Sequence, residues 1–216
     1  CFALDANENI YIAGQSIDQD YSIGLKCDSS GLVLWNSVFS CYPNAYDRGT
    51  SIDFDRQGSS YISVMSQDTT GIPDIILLKY SLSGQLIWQQ RYGSSHYEEP
   101  KQLSIFNDTV IFVSGDYSNG PSDYLLVKFD SSGQLKWDRI FDPQVFYNYP
   151  VSASDNVLDM LITSGEDVVL TGRCFVGTGG PRRINVSYDQ GGILNWVARD
   201  FYAAEGQTIS EDTSGH

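Results

Sequence analysis

Every tryptophan of the 216-residue chain falls in one register. Trp35, Trp88, Trp137 and Trp196 are separated by 53, 49 and 59 residues. Gly31, Gly84, Gly133 and Gly192 stand four residues before them. Asp28, Asp130 and Asp189 stand seven residues before three of them, with Ser81 in the remaining place. Lys26, Lys79 and Lys128 stand nine before three of them, with Ser187 in the odd place. Repetition at a period of about 50 residues means that one supersecondary unit is copied along the chain and that neighbouring copies share a core.

Each unit reads as four strands. In the third, Lys101 to Phe106, Val110 to Gly115, Tyr124 to Phe129 and Leu135 to Phe141 are rich in β-branched and aromatic residues. Polar or Gly-containing turns separate them, and no stretch keeps a helical period. Four strands per unit predict an all-β β-propeller built of four-stranded antiparallel blades, with about four repeats. The units span approximately 1–44, 45–95, 96–146 and 147–204, with a partial unit at 205–216. Together they make one propeller domain, or a segment of one, over 1–216. Three readings of ring closure stand open: a segment of a seven- or eight-bladed ring, a compact four-bladed ring with a spare terminal strand, or two chains completing one ring.

The repeated residues have expected roles. The Asp of each turn bonds backbone two residues on, and the Gly supplies a positive φ. The Trp fills the wedge between blades. The lysines cap blade edges or pair with acidic loops.

These residues resemble the SBBP-type β-propeller repeats of bacterial and archaeal surface proteins. The units of that family look like D-x-x-L-x-K-Y/F-D-x-x-G-x-x-x-W, followed by a loop and D-x-x-G-x-I/V-Y-I/V-x-G. Here the first half matches Asp74 to Tyr80 and Asp123 to Phe129, and the second matches Asp5 to Gly14 and Asp55 to Ile62. The resemblance implies secreted or cell-surface modules that bind or scaffold. Quinoprotein dehydrogenase blades also carry an Asp–Gly–Trp turn, but with one more residue between Asp and Trp, and no two cysteines here are neighbours as in those enzymes. No quinone cofactor is therefore expected.

Composition removes several function classes. Thirteen basic and 27 acidic residues give a formal net charge of −14, the wrong sign for a general nucleic-acid binder or for an anionic membrane surface. No apolar run is long enough to span a bilayer. Cys1, Cys27, Cys41 and Cys174 form no CxxC, and His96 and His216 are the only histidines, so a Cys/His zinc site is not expected. Cys27 and Cys41 either pair across strands or are free buried thiols. A start at Cys1 reads as a processed, trimmed or excised segment. Sequons at Asn107 and Asn185 and the Tyr-, Ser- and Asp-rich composition point to an extracytoplasmic, secreted or cell-surface protein.

Candidate binding residues lie in the loops entering each first strand: Tyr46, Asp47, Tyr97, Glu98, Tyr147, Tyr149 and Tyr202. A tyrosine-rich acidic rim stacks sugars or anchors a protein partner. The same residues also serve as inter-blade packing. Asp5, Asn7 and Asn9 offer alternating oxygens for Ca²⁺, or form a strand-to-strand turn. No Ser/His/Asp or Cys/His set is arguable from spacing. The expectation is a non-catalytic module, without a cofactor, for protein or glycan binding or structural assembly. It includes self-association or a larger surface assembly. The alternative is a carbohydrate-active hydrolase with paired carboxylates such as Glu98 and Asp142.

Overall fold

The computed structural model describes residues 1–18, 20–43, 45–67, 70–148, 154–175, 181–199 and 208–211. Among these, four antiparallel four-stranded sheets and one short helix form. The first sheet holds β1 (Phe2–Leu4), β2 (Ile10–Gln15), β3 (Ser22–Cys27) and β4 (Val33–Phe39). The second holds β5 (Tyr46–Phe54), β6 (Ser60–Gln67), β7 (Pro73–Tyr80) and β8 (Leu86–Tyr92). The third holds β9 (Tyr97–Phe106), β10 (Val110–Ser118), β11 (Ser122–Asp130) and β12 (Leu135–Phe141). The fourth holds β13 (Asn156–Ile162), β14 (Val168–Phe175), β15 (Pro181–Tyr188) and β16 (Leu194–Arg199). Strands lie side by side in chain order in every sheet. This is the four-stranded blade of an all-β propeller, as the tryptophan register predicts.

The chain divides into two compact units, residues 1–113 with 128–136, and residues 114–127 with 137–216. In the first unit, Tyr11, Ala13, Trp35 and Phe39 of the first sheet pack against Ile52, Ile62, Val64, Ile76, Leu78 and Tyr80 of the second. In the second unit, Val157, Met160, Leu170, Ile184 and Val186 are buried. β13 buries only Val157 and Met160, and no residue of β16 is buried.

Three tryptophans cover the tight turn of the following sheet. Trp35 stacks on Tyr80 at 6.0 Å. It lies so close over Gly84 that a Cβ there would stand 2.6 Å from its Cγ. Trp88 lies over Gly133 in the same way, with 3.0 Å to a virtual Cβ. Trp137 donates its Nε1–H to the Gln190 carbonyl at 3.2 Å. Trp196 departs from the pattern: it is 44% exposed, against 7% for Trp35.

The turns behave as their residues dictate. Asp28 Oδ1 accepts from the Ser30 and Leu32 N–H groups, and Asp130 Oδ1 from those of Ser132 and Gln134. Asp189 Oδ1 accepts from Gly191 and Ile193. In the odd repeat the Ser81 hydroxyl accepts from Gln85 N–H. The glycines at 31, 84, 133 and 192 all have φ between +78° and +87°, where a Cβ is strained.

Lys26 and Lys79 pair with acidic loops rather than cap blade edges. Lys26 is 4% exposed and sits on the interior strand β3. It donates to the Tyr11 hydroxyl at 2.6 Å, lies 4.5 Å from that ring's centre, and is 3.7 Å from Asp5. Lys79 repeats the arrangement with Tyr61 and Asp55. The lysine thus ties the third strand to the loop before the second, because a buried ammonium needs an acceptor and a counter-charge.

The short helix was not expected from the period. α1 (Pro143–Tyr147) is made by its cap: Asp142 Oδ1 accepts from Gln144 and Val145 N–H at 2.8 and 2.9 Å, and Pro143 fixes φ at the first position. The turn between β10 and β11 is short, since β10 runs on to Ser118 and β11 begins at Ser122. All four cysteines are free, so the Cys27–Cys41 pairing does not form. Ile209 N–H donates to Asp159 Oδ2 at 2.8 Å, as Ile105 N–H donates to Asp53 Oδ2. Ile209 therefore repeats the contact that Ile105 of a first strand makes with the preceding sheet.

Candidate functional site

The predicted rim is only partly a surface. Tyr97 is 37% exposed, and its hydroxyl donates to Glu99 Oε2 at 2.6 Å. Tyr46 is half-buried and donates to Gln15 Oε1 at 3.1 Å. Asp47 and Glu98, expected on the rim, are buried at 0% and 1% exposure. Asp47 Oδ2 accepts from Cys41 N–H, and Glu98 accepts from the Ser94 hydroxyl at 2.6 Å. Both anchor the incoming loop to their first strand, a role their alternation along β5 and β9 indicates. Tyr147 lies in α1 with the Arg199 guanidinium 4.7 Å from its ring centre. Tyr149 and Tyr202 lie outside the described residues. Asp5 is a turn anchor: Oδ1 accepts from Asn7 and Asn9 N–H and Oδ2 from Asn9 Nδ2.

Two places carry chemistry beyond packing. The first is a groove of about 290 Å³ in the first unit, lined by Arg48, Gly49, Thr50, Glu99, Pro100 and Lys101. Arg48 Nη2 and Lys101 Nζ stand 2.7 and 3.0 Å from the two Glu99 oxygens. Burial pushes the Glu99 carboxyl up, but Tyr97, Lys101 and Arg48 outweigh it and hold the group below its ordinary value. Tyr97 adjoins this groove through its hydroxyl bond to Glu99 and is partly exposed.

The second lies in the second unit. One carboxylate oxygen each from Asp123, Asp142 and Asp155 falls within 4.8 Å of the others. Asp123 comes from the start of β11, Asp142 from the cap of α1, and Asp155 from the residue before β13. Asp155 Oδ1 accepts from Phe175 N–H and Oδ2 from Gln144 Nε2, both at 2.9 Å. Asp123 is 7% exposed, and its Oδ1 is sealed from solvent without a hydrogen-bond partner. Burial, with the Asp142 charge added, pushes Asp123 up to about 7. Burial also pushes Asp155 up to about 7, against the Phe175 N–H bond and with the charges of Asp123, Asp142 and Asp116 adding. Hard oxygen donors of this kind suit a divalent cation such as Ca²⁺.

Sequence reasoning missed this cluster, although a signal was there. Asp74 and Asp123 both stand five residues before the repeat lysine, and Arg91 and Ile140 both stand three after the repeat tryptophan. In the second repeat Arg91 Nε donates to Asp74 Oδ2 at 2.7 Å. In the third repeat the same place holds an isoleucine.

No family model matches the chain, and no curated protein matches it. Solved structures do. A quinohemoprotein alcohol dehydrogenase from Pseudomonas putida has a TM-score of 0.55 at 11% identity, over 91% of this chain and 34% of its own. A Synechocystis apocarotenoid oxygenase has a TM-score of 0.45 at 9% identity, over 92% of this chain and 47% of its own. The chain thus spans about a third of the dehydrogenase, and that likeness concerns the fold.

Proposed function

We propose that the chain is a non-catalytic β-propeller repeat module that binds a protein or glycan partner, or takes part in structural assembly, outside the cytoplasm. The observation that carries this reading is the groove of Arg48, Glu99 and Lys101 beside the exposed Tyr97. Charged groups held in place by one another, with an aromatic face at the rim, suit recognition of a polar partner. The formal charge of −14 steers partners with basic surfaces towards the chain. The carboxylates nearest the groove are already committed, Glu99 to three donors and Glu98 to Ser94. Glycoside hydrolysis needs two carboxyl groups free to flank one bond.

A glycan array and a panel of basic peptides, run beside a hydrolysis screen on chromogenic glycosides, test the reading. Binding without turnover, weakened about tenfold by Tyr97→Ala or Arg48→Ala, is the expected result. Turnover that disappears in Glu98→Gln or Asp123→Asn would defeat it in favour of the hydrolase.

A further inference from the structure

The second and third repeats solve the same problem differently. Each places an aspartate, Asp74 or Asp123, at the third strand and an acid, Glu98 or Asp155, before or at the next first strand. Glu98 feels the Asp74 charge, and Asp155 feels that of Asp123. In the second repeat Arg91 gives the aspartate of the pair a cation, binding Asp74 through Nε and Nη2. In the third, the arginine is replaced by Ile140 and a third acid, Asp142, is added. Among the described residues no lysine or arginine pairs with Asp123, Asp142 or Asp155. A buried charge left so is costly unless something cationic meets it.

We propose that Asp123, Asp142 and Asp155 form a binding site for a divalent cation of the Ca²⁺ class, which supplies the positive charge that Arg91 supplies one repeat earlier. Two observations carry it independently of the count of acids. Asp123 is 7% exposed, and its Oδ1 has no hydrogen-bond partner among the described residues, although one of its carboxylate oxygens stands within 4.8 Å of the other two acids. Oxygens bound to one Ca²⁺ at about 2.4 Å lie at most about 4.8 Å apart, and the three carboxylate oxygens stay within that limit. The partners of Asp155 and Asp142 fix those carboxylates: Phe175 N–H and Gln144 Nε2 hold the first, and the N–H groups of Gln144 and Val145 hold Oδ1 of the second. Asp123 supplies, in Oδ1, an oxygen with no partner among the described residues to give up. Water fills the remaining coordination positions. Such an ion would join β11, α1 and the start of β13.

Calorimetric titration and thermal melting of the whole chain at pH 7.5 test this, with CaCl₂ against KCl of matched ionic strength. One ion per chain is expected, with a Kd of about 10 µM to 1 mM, and a melting temperature that rises in CaCl₂ above its value in KCl. Asp123→Asn removes a ligand charge, and Ile140→Arg installs the cation of the second repeat at a half-exposed position. Each is expected to weaken Ca²⁺ binding at least tenfold while the chain still melts cooperatively. Equal melting in CaCl₂ and KCl, or full Ca²⁺ binding by both variants, overturns the proposal.

Discussion

Replacing Asp123 by asparagine is expected to stabilise the protein, and to do so only where the native carboxyl is ionised. Asp123 rises from an ordinary value of 3.8 to about 7 in the fold. At about 1.36 kcal/mol per pH unit, its ionisation costs the folded state about 4 kcal/mol. The sign follows from proton binding. Below pH 4 the carboxyl is protonated folded and unfolded, and nothing is lost. Between pH 4 and 7 the unfolded chain ionises while the folded one resists, so stability falls as pH rises, and the full cost is present above about pH 7. Asparagine keeps the shape and removes the charge. Burying its amide takes back about 1–2 kcal/mol, less if the neighbouring carboxylates accept from it. Because Asp155 feels the Asp123 charge, part of the gain belongs to the pair. Urea unfolding with chelator present, followed by circular dichroism at pH 4, 6 and 8, measures it. The variant should gain roughly 2–4 kcal/mol at pH 8 and close to nothing at pH 4. A loss at pH 8, or an equal gain at both ends, would refute the reasoning.

Other substitutions test the repeat itself. Gly84→Ala puts a Cβ 2.6 Å from Trp35 Cγ at a φ of +78° and should cost about 3 kcal/mol in urea unfolding. Gly31→Ala, at φ +87° with nothing within 4 Å, should cost only about 1 kcal/mol. Trp35→Ala should lose roughly 3–5 kcal/mol and the half-exposed Trp196→Ala about 1 kcal/mol in the same assay; equal losses would contradict the asymmetry of the last repeat. Lys26→Ala leaves Asp5 and Tyr11 without their cation and should lower stability by about 3 kcal/mol, with Lys79→Ala close to it. If neither moves the urea midpoint, the lysine–tyrosine–aspartate tie contributes nothing.

What could be read from the chain was what repeats. Gly31, Gly84, Gly133 and Gly192 announced four turns because each takes φ near +80°, where a Cβ is strained, and an indole covers two of them, Gly84 and Gly133. The β-branched and aromatic runs between Lys101 and Phe141 announced four-stranded sheets. What escaped was what breaks the repeat. α1 is five residues long and owes its existence to one Asp–Pro cap, too short to leave a period. Asp47 and Glu98 looked like rim acids because loops are usually solvated. They are buried because each satisfies loop donors, Cys41 N–H and Ser94. The aspartate cluster joins residues 123, 142 and 155 through tertiary packing, which a sequence pattern does not display. Its one trace is the exchange of Arg91 for Ile140 between equivalent positions, which is legible only once the second repeat shows what the arginine does.

The most direct test of the idea that chemistry resides where the repeat loses its own cation is crystallographic. Crystals soaked in TbCl₃, a Ca²⁺ surrogate with strong anomalous scattering, should show a peak bounded by the carboxylates of Asp123, Asp142 and Asp155. In Ile140→Arg crystals soaked alike, that peak should vanish. A map with peaks only at surface acids, or a peak at the cluster undiminished by the arginine, would contradict the account.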